Sequence, residues 1–89
     1  GETRGKHAHY NEKQYLTCVR GQIKIKLTTK KGTIEKVLHP GDSIFVDSMV
    51  WGEQQYLTGE DMLHVLCSTK FDENDYIRDI NKIIGVNNG

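Results

Sequence analysis

The alternation of side-chain character over residues 22–28 narrows what this chain can fold into more than any other feature. Ile23, Ile25 and Leu27 alternate with Gln22, Lys24, Lys26 and Thr28. A period of two places one apolar and one polar face on a strand, whereas a helix cannot line up residues two apart. Turn signals punctuate the rest of the chain: Arg20-Gly21, Lys30-Lys31-Gly32, His39-Pro40-Gly41-Asp42 and Thr58-Gly59-Glu60-Asp61. Between them, strands are expected over 14–19, 33–38, 43–46, 56–57 and 62–68. Short strands recurring about every ten residues point to an all-β sandwich or barrel.

Near the end the period changes. Asp72 is expected to cap a helix starting near Glu73, with Asp75 three residues on in the manner of a capping box. Tyr76, Ile77, Ile80, Ile83 and Ile84 then fit one helical stripe, Gly85 is a C-terminal stop, and residues 86–89 read as a frayed end. Composition removes other classes. The 89 residues make one domain, and 12 basic against 12 acidic side chains argue against a basic nucleic-acid platform. With 36% apolar residues the chain is too hydrophobic for a disordered one. No apolar run approaches the roughly 20 residues that span a bilayer, and no secretory signal opens the chain, so a cytoplasmic location is expected, with neither nucleic acid nor membrane as partner. Two cysteines cannot build a disulfide framework, and Cys18 and Cys67 read as small buried hydrophobes. A core this small is marginal, which predicts a homodimer with exchanged or edge-paired strands.

His7-Ala8-His9 is the sharpest candidate for chemistry. On a strand, residues two apart share a face, so both imidazoles would enter one cavity. Gly1, His7, His9, Gln14 and Gly21 have the spacing of the first cupin motif, which resembles this stretch except that Gln14 stands where a glutamate is usual. A second cupin motif would begin at Gly41, and Gly52 occupies the position of its third histidine. Gln14 offers only a neutral carbonyl and Gly52 nothing, so no metal or other cofactor is expected. Neutral imidazole near its ordinary pKa of about 6.5 is instead a good proton-transfer group. Arg4 lies an odd number of residues from His7, which turns it off the histidine face in a regular strand, yet near the strand start it could reach a phosphate or sugar hydroxyl. Trp51 and Tyr56 could form a sugar-stacking wall or belong to the core. His64 is either a third inward polar group or an exposed strand residue, His39 faces solvent, Asp75 and Arg78 make a surface pair, and Lys24, Lys26, Lys30 and Lys31 form a solvated face.

Three ordered blocks carry a closer resemblance. Arg4-Gly5-Lys6-His7-Ala8-His9 resembles the Arg-Gly-x-His-Ala-His signature of the nucleotide-sugar 3,4-ketoisomerases, the WxcM-like cupins. Met49-Val50-Trp51 matches their Met-x-Trp block, and the stretch from Phe71 to Asp79 resembles their Asp-Tyr-Ile-Arg ending. The resemblance implies a cupin-like double-stranded β-helix with one short C-terminal helix, spanning residues 1–89 and lacking the first strands of the family. It implies isomerisation of dTDP-4-keto-6-deoxyglucose to a 3-keto sugar, without metal, by a homodimer. It further implies His9 as base with His7 beside it, and Arg4 in the place of the family's arginine; Arg4, Gln14, Trp51 and Tyr56 are expected to bind substrate. The rival readings are a non-catalytic sugar-binding or assembly module and a small metal cupin.

Overall fold

Hydrophobic alternation, turn glycines and β-branched residues do produce strands, and a computed structural model that describes residues 2–70 and 72–85 shows how they pair. Among the described residues the strands are β1 (Glu2–His9), β2 (Gln14–Arg20), β3 (Ile23–Thr29), β4 (Gly32–Leu38), β5 (Ser43–Val46), β6 (Trp51–Tyr56), β7 (Met62–Cys67) and β8 (Tyr76–Ile77). They form two antiparallel sheets in the orders β4-β3-β6-β1-β8 and β5-β2-β7. This is the expected all-β, cupin-like architecture with one short C-terminal helix, α1 (Asn81–Ile84).

The sheets face each other across a core built by alternation. From β3 come Ile23, Ile25 and Leu27, from β2 Leu16 and Cys18, and Leu38 and Val46 close the cluster. Lys24 and Lys26 point the other way and stay partly exposed, so the period-two reading holds through Leu27; Thr28, expected on the solvated face, is buried beside Trp51, with its hydroxyl bonded to that of Thr33 at 3.0 Å. A second apolar cluster lies behind the larger sheet, where Ala8, Trp51 and Ile77 are covered by Ile83 of α1.

Three expectations are corrected. The strand expected at 56–57 runs instead from Trp51 to Tyr56. Its Glu53-Gln54-Gln55 stretch lacks a strand-like side-chain pattern, but β6 is hydrogen-bonded to β1 on one side and β3 on the other. Ladders on both sides outweigh weak side-chain preference. The helix expected from Glu73 is broken into a single 3-10 turn, Glu73–Asp75, then β8, and only then α1. Asp72 does cap, its side chain accepting from the Asn74 N–H at 3.0 Å, and Gly85 does stop α1 at φ 69°. Between them Ala8 pairs with Ile77 and His9 with Tyr76, and a sheet partner that buries Ile77 replaces the helical ladder. The expected frayed end, 86–89, lies outside the described residues. Finally, Cys18 is buried but Cys67 is exposed, because it sits on an edge strand.

The turn at 58–61 is fastened by one carboxylate. Asp61 accepts from the Gln22 N–H at 2.8 Å, the Thr58 N–H at 3.0 Å, the Thr58 hydroxyl at 2.7 Å and the Gly59 N–H at 2.9 Å. Burial of the carboxyl works against its ionisation, but these donors prevail and hold its pKa at about 2. The same side chain leaves no room at Gly21, where φ is +82° and a Cβ would collide with Asp61 Oδ1 and lie 2.9 Å from its Cα. Gly59, at φ +88°, has nothing within 4 Å of such a Cβ. Gly21→Ala is therefore expected to cost about 1–3 kcal/mol from strain alone, plus the displacement of Asp61. Gly59→Ala is expected to cost the strain alone. Urea denaturation of both variants checks this, and equal losses would remove the steric part of the account.

Candidate active site

A bulge in β1 decides which side chains meet. Arg4 pairs with Gln54 and His7 with Gly52, so three steps along β1 match two along β6. The extra residue is accommodated at Gly5, whose φ of +79° suits a bulge that begins with glycine. Because Gly52 and Gln54 share a face of β6, the slip brings Arg4 onto the face of His7. This corrects the expectation from regular-strand parity. The Arg4 guanidinium lies 5.8 Å from the centre of the Tyr56 ring, and the Tyr56 hydroxyl donates to Gln54 at 2.9 Å.

The inward face carries a cluster of rings. His7 and His9 meet edge to face with centroids 4.9 Å apart. Tyr76 of β8 stacks on His7 at 4.9 Å and meets His9 at 4.7 Å. Behind Tyr76, the Arg78 guanidinium lies 4.9 Å from its ring centre. His7 and His9 line a small inner cleft together with Gln14, Leu16, Val50, Gly52 and Gln54. The missing side chain at Gly52, opposite His7, helps open the cleft; a Cβ there would touch only Leu27, at 3.7 Å.

The loop between β1 and β2 supplies a carboxylate. Glu12 is 6% exposed, and its Oε2 lies 3.5 Å from His9 Nε2. Gln14 Nε2 donates to the same oxygen at 2.9 Å, and the Thr69 hydroxyl donates to Oε1 at 3.0 Å. The backbone around it is pinned. Asp75 accepts from the Asn11 and Glu12 N–H groups at 2.9 and 3.0 Å, Ser68 Oγ accepts from the Lys13 N–H at 2.8 Å, and the Met49 N–H donates to the His9 carbonyl at 2.7 Å. Desolvation opposes ionisation of Asp75, but the two backbone donors and the Asn11 side chain outweigh it and lower its pKa. His7 is held toward its neutral form, chiefly by burial and then by the charges of His9 and Arg78, against an opposing pull from Glu12.

The structure thus brings Arg4, His7, His9, Gln14 and Tyr56 to the inner face. It sets Trp51 apart from them. Trp51 belongs to the cluster behind the sheet, and its indole N–H donates to Glu53 at 3.1 Å, since positions 51 and 52 of a strand face opposite ways. His64 is exposed, across from Thr17, and His39 is exposed and paired with Asp42. Sequence reasoning passed over three contributors. Glu12 follows His9 by three positions and falls outside the motif spacing. Asp75, expected in a surface pair with Arg78, holds the loop instead. Tyr76 was hidden in an apparent helical stripe, although Tyr-Ile is itself a strand-like pair. Among the described residues, no group of three or more His, Cys, Asp or Glu side chains is placed to hold a metal ion.

Acid titration tests the environment of His7. The unfolded chain carries this group near its ordinary value of 6.5, whereas the folded value is lower. As pH falls below 6.5 the unfolded state binds more protons, so stability is greatest above that pH and declines until pH passes below the folded value. Asp61 and Asp75 have the opposite arrangement of charge and titrate from the carboxylate value of 3.8 downward, outside this window. Urea midpoints measured between about pH 7 and about pH 5 are expected to fall in the wild type and to fall less in His7→Asn. Parallel slopes would contradict the assignment.

Comparison with known proteins gives a consistent set of likenesses. A family described as FdtA: WxcM-like, C-terminal, matches residues 1–87. The TDP-4-oxo-6-deoxy-alpha-D-glucose-3,4-oxoisomerase of Aneurinibacillus thermoaerophilus is 35% identical over 78 residues, 86% of this chain and 56% of that protein. A histidine-to-asparagine mutant of the 3,4-ketoisomerase QdtA from Thermoanaerobacterium thermosaccharolyticum, solved with TDP-4-keto-6-deoxyglucose, superposes with a TM-score of 0.87 at 33% identity, covering 94% of this chain and 62% of that one. WlaRA, a TDP-fucose-3,4-ketoisomerase from Campylobacter jejuni, gives 0.87 at 26% identity over 98% of this chain and 65% of that one. The chain spans little more than half the length of the curated relative it matches.

Proposed function

Because the chain belongs to the FdtA family, WxcM-like, C-terminal, we propose that it is a 3,4-ketoisomerase acting on a dTDP-linked 4-keto-6-deoxyhexose. The observation that carries this reading is the pair of imidazoles in edge contact, 4.9 Å apart, at the inner cleft. Relatives that act on or bind TDP-linked keto sugars support the substrate class.

In this reading His9 removes the proton from C3 of the sugar. The electron pair forms a C3–C4 double bond and the C4 carbonyl oxygen takes the negative charge, giving an enediolate. The proton on the C3 oxygen passes to the C4 oxygen, and a proton returns from the imidazolium to C4. The product is a 3-keto, 4-hydroxy sugar, with no net gain or loss of protons or electrons. His7, neutral by burial, orients His9 or shares its proton. Arg4, on the same face, offers a guanidinium to a phosphate or hydroxyl, and Tyr56 and Gln14 offer polar contacts to the sugar. Trp51 contributes by supporting the sheet behind the histidines.

The reading is metal-independent. Gly52 brings no side chain opposite His7, and the Glu12 carboxylate already accepts from Gln14 and Thr69. It further includes a homodimer with exchanged or edge-paired strands, a reading supported by the apolar Tyr15, Phe45 and Leu66 left exposed on the smaller sheet, and a cytoplasmic location, in keeping with two unpaired thiols.

Substrate incubated in deuterated water and followed by NMR tests the chemistry. Wild-type protein is expected to exchange the C3 proton, and His9→Asn to retain sugar binding while turnover falls by about 10²–10⁴-fold. His7→Asn is expected to lose less. Prior treatment with a chelator is expected to leave the rate unchanged. Binding without any exchange would favour a sugar-binding module, the reading in which a chain of this length keeps the barrel and lacks the chemistry. Exchange that survives in His9→Asn would move the base elsewhere.

A further inference from the structure

The buried edge of His9 is occupied by an arrangement that sugar binding does not require. His9 Nε2 is enclosed and makes no hydrogen bond. The nearest partner available to it is Glu12 Oε2 at 3.5 Å, and both side chains are only 7% exposed. A carboxylate in such a place is costly unless donors satisfy it, and here donors are built in. Gln14 Nε2 and the Thr69 hydroxyl each take one oxygen, while Asp75 holds the Glu12 backbone N–H at 3.0 Å. The loop is also tied at its far end, where Lys13 and Ser68 exchange two hydrogen bonds. The carboxylate is therefore presented beside Nε2 from a fixed loop.

We propose that Glu12 is the positioning residue of a Glu12–His9 pair, receiving the Nε2–H of His9 so that Nδ1 is the basic nitrogen and the imidazolium is stabilised when it forms. The inference deepens the isomerase reading and rests on it for its catalytic consequence. The geometry gives the reason for each part. Nε2 is sealed from the cleft, so it cannot take a proton from a substrate carbon, and the ring has one other nitrogen. A shift of about half an ångström would bring Nε2 and Oε2 to ordinary hydrogen-bond distance, and the charge that appears on the ring during proton abstraction supplies the attraction for it. A buried carboxylate that orients an imidazole and stabilises its charged form plays the part that aspartate plays in hydrolase triads.

The charged and titratable groups around His9 are few. His7 lies beside it on β1, Tyr76 meets it from β8, and Asp75 interacts with it from the 3-10 turn. Arg78 lies behind Tyr76. From β2, Gln14 holds Glu12, and from β7 the Cys67 thiol is pushed up by desolvation and then by the Glu12 carboxylate, which keeps it uncharged. Glu12 is thus the carboxylate in contact with His9, and Asp75 lies beyond it with its oxygens committed to Asn11 and Glu12.

The experiment combines ¹⁵N NMR of the His9 ring with kinetics on the full chain. In the wild type His9 is expected as the Nε2–H tautomer. In Glu12→Gln its titration is expected to move to lower pH, because the anion that favours imidazolium is gone. Turnover of the dTDP-linked keto sugar is expected to fall by about 10²-fold with KM little changed, and the acidic limb of the kcat profile is expected to follow the NMR titration downward. Glu12→Asp is expected to restore part of both effects. Thr69→Val, at an exposed position, provides a variant that keeps the fold while loosening the carboxylate, and a smaller shift of the same sign is expected. His9 signals that are identical in wild type, Glu12→Gln and Thr69→Val overturn the pair, as does a loss of activity in Glu12→Gln with an unmoved acidic limb. Wild-type protein that shows the Glu12-dependent tautomer and titration but no turnover overturns the isomerase reading while the pair stands.

Discussion

β1 is hydrogen-bonded on both sides, to β6 along most of its length and to β8 at its end, and the placement of every inward group depends on that double pairing. Its outward residue Ala8 packs with Trp51, Ile77 and Ile83, which fixes the orientation of the strand. With Ala8 outward, His7 and His9 must face the cleft. Pairing with β8 covers only two residues, and backbone hydrogen bonds contribute about 1 kcal/mol each net. Burial of Ile77, worth about 1.5–3 kcal/mol, holds β8 in place and with it the Tyr76 ring against both histidines. The apolar cluster behind the sheet and the polar cluster in front of it are two faces of one short strand pair.

The bulge at Gly5 and the loop at 10–13 act at the two ends of this arrangement. Without the bulge, Arg4 would lie on the outer face with Lys6; with it, arginine and histidines share one wall. At the other end, the chain must turn from β1 to β2 while carrying a buried carboxylate. Asp75 makes that possible by receiving two successive backbone N–H groups, an interaction that reaches across 64 residues of sequence. A glutamate buried beside a histidine is a strained combination by solvation alone. Its neighbours resolve the strain by donation from Gln14 and Thr69, so the polar network is specified by side chains from two strands and the loop that follows β7.

The smaller sheet is less enclosed than the larger one. Leu16 and Cys18 of β2 are buried, yet Val65 and Cys67 of β7, on the same inward face opposite Leu16 and Gln14, are exposed. Outward, Tyr15 lies between Phe45 and Leu66 across the three strands, and Leu66 is 61% exposed. Apolar exposure on both faces of a three-stranded sheet with two edges is more than a monomer usually shows. Among the described residues, the larger sheet has exposed apolar groups only at its β4 edge, where Ile34 and Val37 face solvent.

Much of the architecture is written in local sequence, because strand alternation and turn chemistry are local properties. Ile23, Ile25 and Leu27 announce a buried face, Gly21 and Asp61 announce turns, and Asp72 and Gly85 mark caps that the structure retains. The two histidines are legible for the same reason, since residues two apart on any strand share a side. Three features were decided only by distant pairing. Glu53-Gln54-Gln55 became a central strand because ladders on both sides satisfied its backbone. Tyr76 and Ile77 left a helical pattern because β1 offered a sheet edge and an apolar pocket. Arg4 joined the histidine face because a single extra residue against β6 reversed its parity. Glu12, close to His9 in sequence but outside the motif spacing, had no legible role for a further reason: its meaning lies in a partner set, His9, Gln14 and Thr69, that no spacing rule connects. Sequence determined which faces were apolar and where the chain turned; tertiary structure decided which polar groups met, because burial and hydrogen bonding are satisfied in space rather than along the chain.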